Sequence, residues 1–206
     1  MAATWGWRTS FYVIGGLTVV LALIGLFFVK DYVAGDSTPS ETATARKPFK
    51  ASAIHIVTSS WFWVVAALFF GVFGGTVSLQ GLWATPFLMS LFNLDRDYAS
   101  MINVALPIGY MLGAPFFGRL GDRVSGDRVH LLAFLLALFT CTWFALAFLP
   151  QALGLGGVAA LYAIVGGLSG GIGTTLWATA QAKTPSAIMG LMSGLMNPFP
   201  LLGMAV

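Results

Sequence analysis

"GYMLGAPFFGRLGDRVSGDRVHLLAFLL", residues 109–136, sets a dense group of charges between two long apolar runs. The chain has ten Lys or Arg and seven Asp or Glu in 206 residues, yet Arg119, Asp122, Arg123, Asp127 and Arg128 fall within ten positions. Outward from this stretch the charges thin to nothing. None lies between Asp97 and Arg119, between Arg128 and Lys183, or after Lys183. Further upstream, none lies between Arg8 and Lys30 or between Lys50 and Asp95. A helix crossing about 30 Å of hydrocarbon needs about 20 apolar residues. Each gap is long enough for one such helix, and the gap after Arg128 is long enough for two.

Composition agrees with the placement. Charged residues make up 8% and hydrophobic residues 58%, with a mean hydropathy of +0.87, whereas a soluble domain carries about 25% charge. There are too few polar groups to cover a water-facing surface. The expected fold class is all-α, a polytopic transmembrane helix bundle. A membrane barrel is excluded because the runs are continuous rather than alternating. The net charge of +3 does not indicate nucleic acid, because the position of the basic residues has a topological explanation. The single cysteine, Cys141, lies within an apolar run and can form no internal disulfide.

The sequence predicts six spans, at about Ser10–Val29, Trp61–Phe87, Tyr98–Gly118, Val129–Leu149, Gly156–Gln181 and Ile188–Val206. "LPQALGLGG" (149–157) separates the fourth from the fifth, since Pro150 and three glycines punctuate a helix. If the chain starts outside, the inside loops hold Lys30, Arg46, Lys47, Lys50, Arg119, Arg123, Arg128 and Lys183, and the outside loops hold Arg8 and Arg96. Basic residues favour the cytoplasmic side, so the charged stretch is predicted to be cytoplasmic. A first span starting outside, without signal-peptide features, together with a last span lacking a polar flank, leads to the expectation of a fragment preceded by an odd number of spans. Residues 35–50, rich in Ser, Thr and Pro, read as a flexible linker. Phe49, Ala53, Ile56 and Val57 follow helical spacing and suggest a segment along the cytoplasmic interface. The domain expectation is therefore 1–29 as the last helix of one bundle, 30–60 as a central cytoplasmic loop, and 61–206 as a second bundle of five spans.

A short hairpin with alternating carboxylates and guanidiniums can pair its charges and brace helix ends reversibly. It can equally be a solvated turn with ordinary basic anchors. The spacing of Gly118, Leu120, Asp122, Arg123, Gly126 and Arg128 resembles the cytoplasmic loop signature of the major facilitator superfamily, with Ser125 as an extra residue before Gly126. "WGWRTSFYVIGGL" (5–17) is similar to the family's approach to its sixth helix, and "SLQGLWATPFL" (78–88) is similar to a stretch in permeases of sugar phosphates or organic anions. The resemblance implies that the six spans correspond to family helices six to eleven. It also implies that Gly118, Asp122, Arg123 and Arg128 form a gating loop, in which Asp122 and Arg123 help to latch the cytoplasmic side.

Polar side chains inside spans are costly unless they pack on other helices or line a wet cavity. Thr76, Gln80 and Trp83 share one helical face, as do Asn103, Pro107 and Tyr110, and Ser193, Asn197 and Pro200. Gly170, Gly173 and Trp177 share another, with Thr174 and Gln181 beside it. Interhelical hydrogen bonding accounts for any one of them. By the resemblance, Gln80, Trp83, Asn103, Tyr110, Thr174, Trp177 and Asn197 are candidates for a substrate cavity. Pro107, Pro198 and Pro200 are expected to mark kinks. Small residues recur at Gly71/Gly75, Gly109/Gly113, Gly166/Gly170 and Gly190/Gly194, a spacing that lets helix backbones approach closely.

No acidic, Lys or Arg residue lies in the middle of a span, so a coupling or anion-binding charge is expected in helices that precede this stretch. There is no metal-spaced His/Cys/Asp cluster, no Gly-x-Ser-x-Gly and no phosphate loop with Lys, so neither an enzyme nor a cofactor is expected. The functional expectation is a secondary active transporter in the cell inner (plasma) membrane, working by alternating access on a small solute. The substrate is set at an organic anion or sugar phosphate, and the partners are the lipid bilayer and the missing N-terminal helices of the same transporter. The alternative is a non-transporting membrane subunit or receptor that assembles through its helices.

Overall fold

The structure is a computed structural model that describes residues 7–28, 49–124 and 128–205. Most of the expected linker and Ser125, Gly126 and Asp127 of the charged loop lie outside the described residues. The chain divides into two compact units, residues 1–46 and residues 47–206. All regular structure among the described residues is helical.

The first unit holds one helix, α1 (Trp7–Phe28), 22 residues long. At 1.5 Å per residue that is about 33 Å. The second unit begins with α2 (Phe49–Val57). It continues through α3 (Ser60–Ser78), a π turn (Leu79–Trp83) and α4 (Ala84–Phe92), which together form one membrane-length rod. Then come α5 (Arg96–Asn103), α6 (Ala105–Arg123), α7 (Arg128–Phe148), α8 (Pro150–Ala182), a 3₁₀ turn (Ser186–Ile188), α9 (Met189–Met196) and α10 (Pro198–Met204). Four stretches among the described residues are long and apolar enough to cross a membrane: Ser60–Phe92, Arg96–Arg123, Arg128–Phe148 and Pro150–Ala182.

Local chemistry sets the ends. Asn93 closes α4 in the left-handed region (φ 51°), a conformation Asn tolerates. The Asp95 carboxylate then accepts the Asp97 N–H at 3.3 Å and caps α5. Inside α8, Gly154 takes φ 64° and ψ −175° and breaks the helix direction. Only glycine adopts that backbone readily, and the break falls where the sequence placed the fourth connection.

The third and sixth spans are each divided into two helices near the prolines expected to mark kinks. The third is α5 and α6 joined at Val104, with Pro107 in the first turn of α6. The sixth is α9 and α10 joined at Asn197, whose backbone stays helical (φ −61°, ψ −31°). Pro198 and Pro200 supply no N–H to the turn before them, so the helix is interrupted in its hydrogen bonding there. These prolines sit at joints, at the start of the second piece.

The bundle is held where α6 meets α8. A Cβ on Gly109 would collide with the Ala163 carbonyl, one on Gly113 with Gly167, and one on Gly166 with the Leu106 carbonyl. The two backbones therefore touch directly. Lipid tails are as apolar as Leu, so van der Waals contact of this kind, rather than exclusion of water, drives helix association in a membrane. Conversely, large apolar side chains such as Met111, Leu112, Phe116, Phe134 and Phe148 point outward. Of the remaining glycine pairs, Gly71, Gly190 and Gly194 have no described residue within 4 Å of where a Cβ would sit. Equal spacing thus marks a contact in two cases and open surface in others.

Candidate functional site

The π turn is the first structural cause of the site. The Ala84 N–H bonds the Leu79 carbonyl, five residues back. Pro86 lies just beyond, and in a regular helix its ring clashes with the carbonyl four residues earlier, that of Leu82. Widening the turn accommodates it. The extra residue also rotates everything after it by about 100° relative to α3.

On the near side of the turn, a cavity of about 240 Å³ opens between α3, α6 and α8. Its walls include Phe73, Thr76 and Gln80 from the first rod, Pro107 and Tyr110 from α6, and Ser169 from α8. The Thr76 hydroxyl is spent on its own helix, donating to the Val72 carbonyl at 2.7 Å. Ser169 is fully buried, and its Oγ has no hydrogen-bond partner among the described residues. A buried hydroxyl without a partner is costly, and this one borders the cavity.

Asn103 supports the wall from behind. Its Nδ2 donates to the Gln80 carbonyl at 2.8 Å, in the π turn where the regular backbone ladder is disturbed. Its Oδ1 is buried without a partner among the described residues. Deeper along α8, the Tyr162 hydroxyl donates to the Ala84 carbonyl at 3.3 Å. The π turn is thus held from α5 on one side, and the start of α4 from α8 on the other.

An aromatic chain links the cavity to the lower part of α8. The Trp177 ring lies 5.2 Å from Phe69, Phe69 lies 5.5 Å from Phe73, and Phe73 lies 6.3 Å from Tyr110. These are favourable separations for aromatic pairs. Gly173 makes room for Phe73, since a Cβ there would sit 2.6 Å from the Phe73 ring.

The sequence candidates divide accordingly. Gln80 and Tyr110 meet at the cavity, Asn103 braces it, and Trp177 reaches it through Phe69 and Phe73. Trp83 does not join them. It is 67% exposed, because the π turn rotates it off the face that carries Thr76 and Gln80. Asn197 is exposed at the joint between α9 and α10. Thr174 belongs to a second cavity.

That second cavity, about 210 Å³, lies where α6 ends. It is lined by Gly118, Gly121, Asp122 and Arg128 together with Thr174 and Thr175 of α8. Here the charged loop meets the long helix. Asp122 and Arg123 are exposed and Arg128 is half-buried, and Arg123 is not among the lining residues. Both threonine hydroxyls donate to the Gly171 carbonyl, at 3.0 Å and 2.8 Å.

Ser169, Phe69 and Phe73 were not among the sequence candidates. Ser169 had a readable signal, standing at i, i+4, i+8 with Gly173 and Trp177 on one helical face. The two phenylalanines had none, being two apolar residues among many in an apolar run.

The family model described as Major Facilitator Superfamily matches residues 1–206. No curated protein and no solved structure matches the chain.

Proposed function

The chain belongs to the major facilitator superfamily and is a multi-pass membrane transport protein, and from that premise we propose that it forms part of a secondary active carrier working by alternating access. The cavity between α3, α6 and α8 is one wall of the solute pathway. The observation that carries this reading is the buried, unpartnered Ser169 hydroxyl beside that cavity, with the Gln80 and Tyr110 side chains across from it. In hydrocarbon such a group is retained where it meets a polar partner.

The rest of the carrier reading follows. The complete protein adds N-terminal helices that supply the opposite wall, and one wall rocks on the other. Gly118, Asp122, Arg123 and Arg128 act as the gating loop at the cytoplasmic end, with Asp122 and Arg128 bearing on α8 through the second cavity. The protein sits in the cell inner (plasma) membrane with this end inside, following the eight-to-two division of basic residues. For the substrate we propose a sugar phosphate or a related organic anion. The lining of this wall is neutral and suits the hydroxyls of such a solute, while its anionic group takes a counter-charge from the opposite wall.

Uptake into proteoliposomes by the complete gene product tests the proposal, with a panel of labelled organic anions, sugar phosphates and neutral sugars. Gln80→Ala and Ser169→Val should each lower uptake at least tenfold, about 1.4 kcal/mol, without changing the elution profile in detergent. Asp122→Asn should lower uptake while leaving membrane insertion intact. Uptake indifferent to both cavity variants removes the solute pathway from this wall. No uptake of any solute, with stable recovery of a second protein, favours the assembly subunit instead.

A further inference from the structure

At the end of the second unit where α8 finishes lies a small cavity, about 50 Å³, that the proposed solute pathway does not use. It is lined by His55 of α2, Ser59 and Trp61 at the start of α3, and Lys183 and Thr184 after α8. It stands at the same end of α8 as the Asp122–Arg128 loop, since Thr174 and Thr175, two to three turns earlier, border that loop.

Among the described residues, Lys183 is the one formally charged residue in its lining. His55 and Lys183 are both exposed. No carboxylate occurs in the sequence between Glu41 and Asp95, or after Asp127, so neither segment that builds the cavity contains an acid. Ser59 holds the position before α3 but makes no side-chain bond to that helix's first N–H groups. The start of a helix adds partial positive charge beside the Lys183 ammonium.

Its surroundings are apolar on the outer side. In α2, Ser52 and Ile56 are buried against the bundle, while Ile54 and Val57 are exposed. The Trp63 indole Nε1 donates to the Val57 carbonyl at 2.8 Å and fixes α2 against the first turn of α3. A short helix with outward Ile and Val, two neighbouring tryptophans and an adjacent basic pocket has the composition of a membrane–water interface.

We propose that this cavity binds the phosphate of an anionic phospholipid. Lys183, His55 and the Trp61 indole engage the headgroup, and the acyl chains cover Ile54 and Val57. Charge complementarity selects an anion, and the exposed apolar side chains beside it select a lipid over a free ion. Basic pockets between membrane helices recognise headgroups in this way. The site is independent of the transport reading.

The test is lipid retention by the complete gene product, purified in mild detergent and titrated with dioleoylphosphatidylglycerol or dioleoylphosphatidylcholine. Bound lipid is counted by native mass spectrometry. The phosphatidylglycerol should be retained in preference. Lys183→Gln should weaken that retention about fivefold, the contribution of one basic residue near a membrane surface, and Arg96→Gln, remote in sequence and outside the pocket, should leave it unchanged. Equal retention of the two lipids by the unaltered protein overturns the proposal, as does full retention by a monodisperse Lys183→Gln variant. Displacement of the lipid by millimolar inorganic phosphate overturns the lipid as occupant. Should the variant not fold, the preference of the unaltered protein between the two lipids and its response to phosphate decide the matter.

Discussion

Along the seam between α6 and α8 the two backbones touch at Gly109, Gly113 and Gly166. Less than a turn away, Tyr110 and Ser169 of the same two helices line, with α3, a cavity of about 240 Å³ beside that seam. The residues involved are almost interleaved: Gly109 beside Tyr110 in sequence, Ser169 between Gly167 and Gly170. At the seam backbone meets backbone with no side chain between, and this fixes where the neighbouring faces point. The cavity exists because those faces carry larger, partly polar side chains, and because the π turn in the third wall has redirected its chain. Close packing on one face is what permits an open space on the next.

The comparison breaks most completely if the seam is filled. Gly166→Val introduces a β-branched side chain against the Leu106 carbonyl. Overpacking a fitted contact costs about 1–3 kcal/mol or more, and here backbone rather than a flexible side chain must move. The expected result is loss of monodisperse protein on size-exclusion chromatography in detergent. A well-behaved variant with unchanged melting temperature would show that the helices do not touch as described.

A smaller effect is expected at the π turn. Asn103→Ala removes the donor to the Gln80 carbonyl, and interhelical hydrogen bonds in membranes contribute about 0.6 kcal/mol on average and up to about 1.7. The change should lower the melting temperature modestly but depress uptake more, because the turn that positions Gln80 loses its brace. Equal, small effects on both readouts would reduce Asn103 to an ordinary packing contact.

The smallest effect separates two glycine pairs of identical spacing. Gly194→Ala, with open space at its Cβ position, should be neutral or stabilising by up to about 1 kcal/mol through helix propensity. Thermal unfolding of this variant beside Gly166→Ala, which should be destabilised, sharpens the distinction between contact glycines and surface glycines.

What the sequence disclosed follows from where the information resides. The four membrane-length stretches were legible because a charge in hydrocarbon is costly and its absence over twenty residues is a local property. The break at Gly154 was legible because Pro150 and the glycines after it punctuate a helix whatever surrounds them. The face shared by Thr76 and Gln80 held, but its extension to Trp83 did not, since helical periodicity assumes a uniform turn and only Pro86 hinted otherwise. Asn197 shared a helical face with Pro200 in the sequence, yet it stands exposed at a joint, because facing is settled by which helices pack together. Thr174 was grouped with Trp177, but it borders the charged loop. Phe69 and Phe73 were invisible for the same reason: their partners lie on α6 and α8, far away in sequence.

The most direct measurement of the account is the water accessibility of position 169. With Cys141, which is exposed on α7, replaced by Ser, Ser169→Cys in the complete gene product is treated with a charged, membrane-impermeant thiol reagent in oriented vesicles. The account predicts labelling that is slowed by a transported solute. Labelling by a lipid-soluble maleimide alone, unaffected by any solute the protein transports, would contradict it and place Ser169 in the dry interior of the bundle.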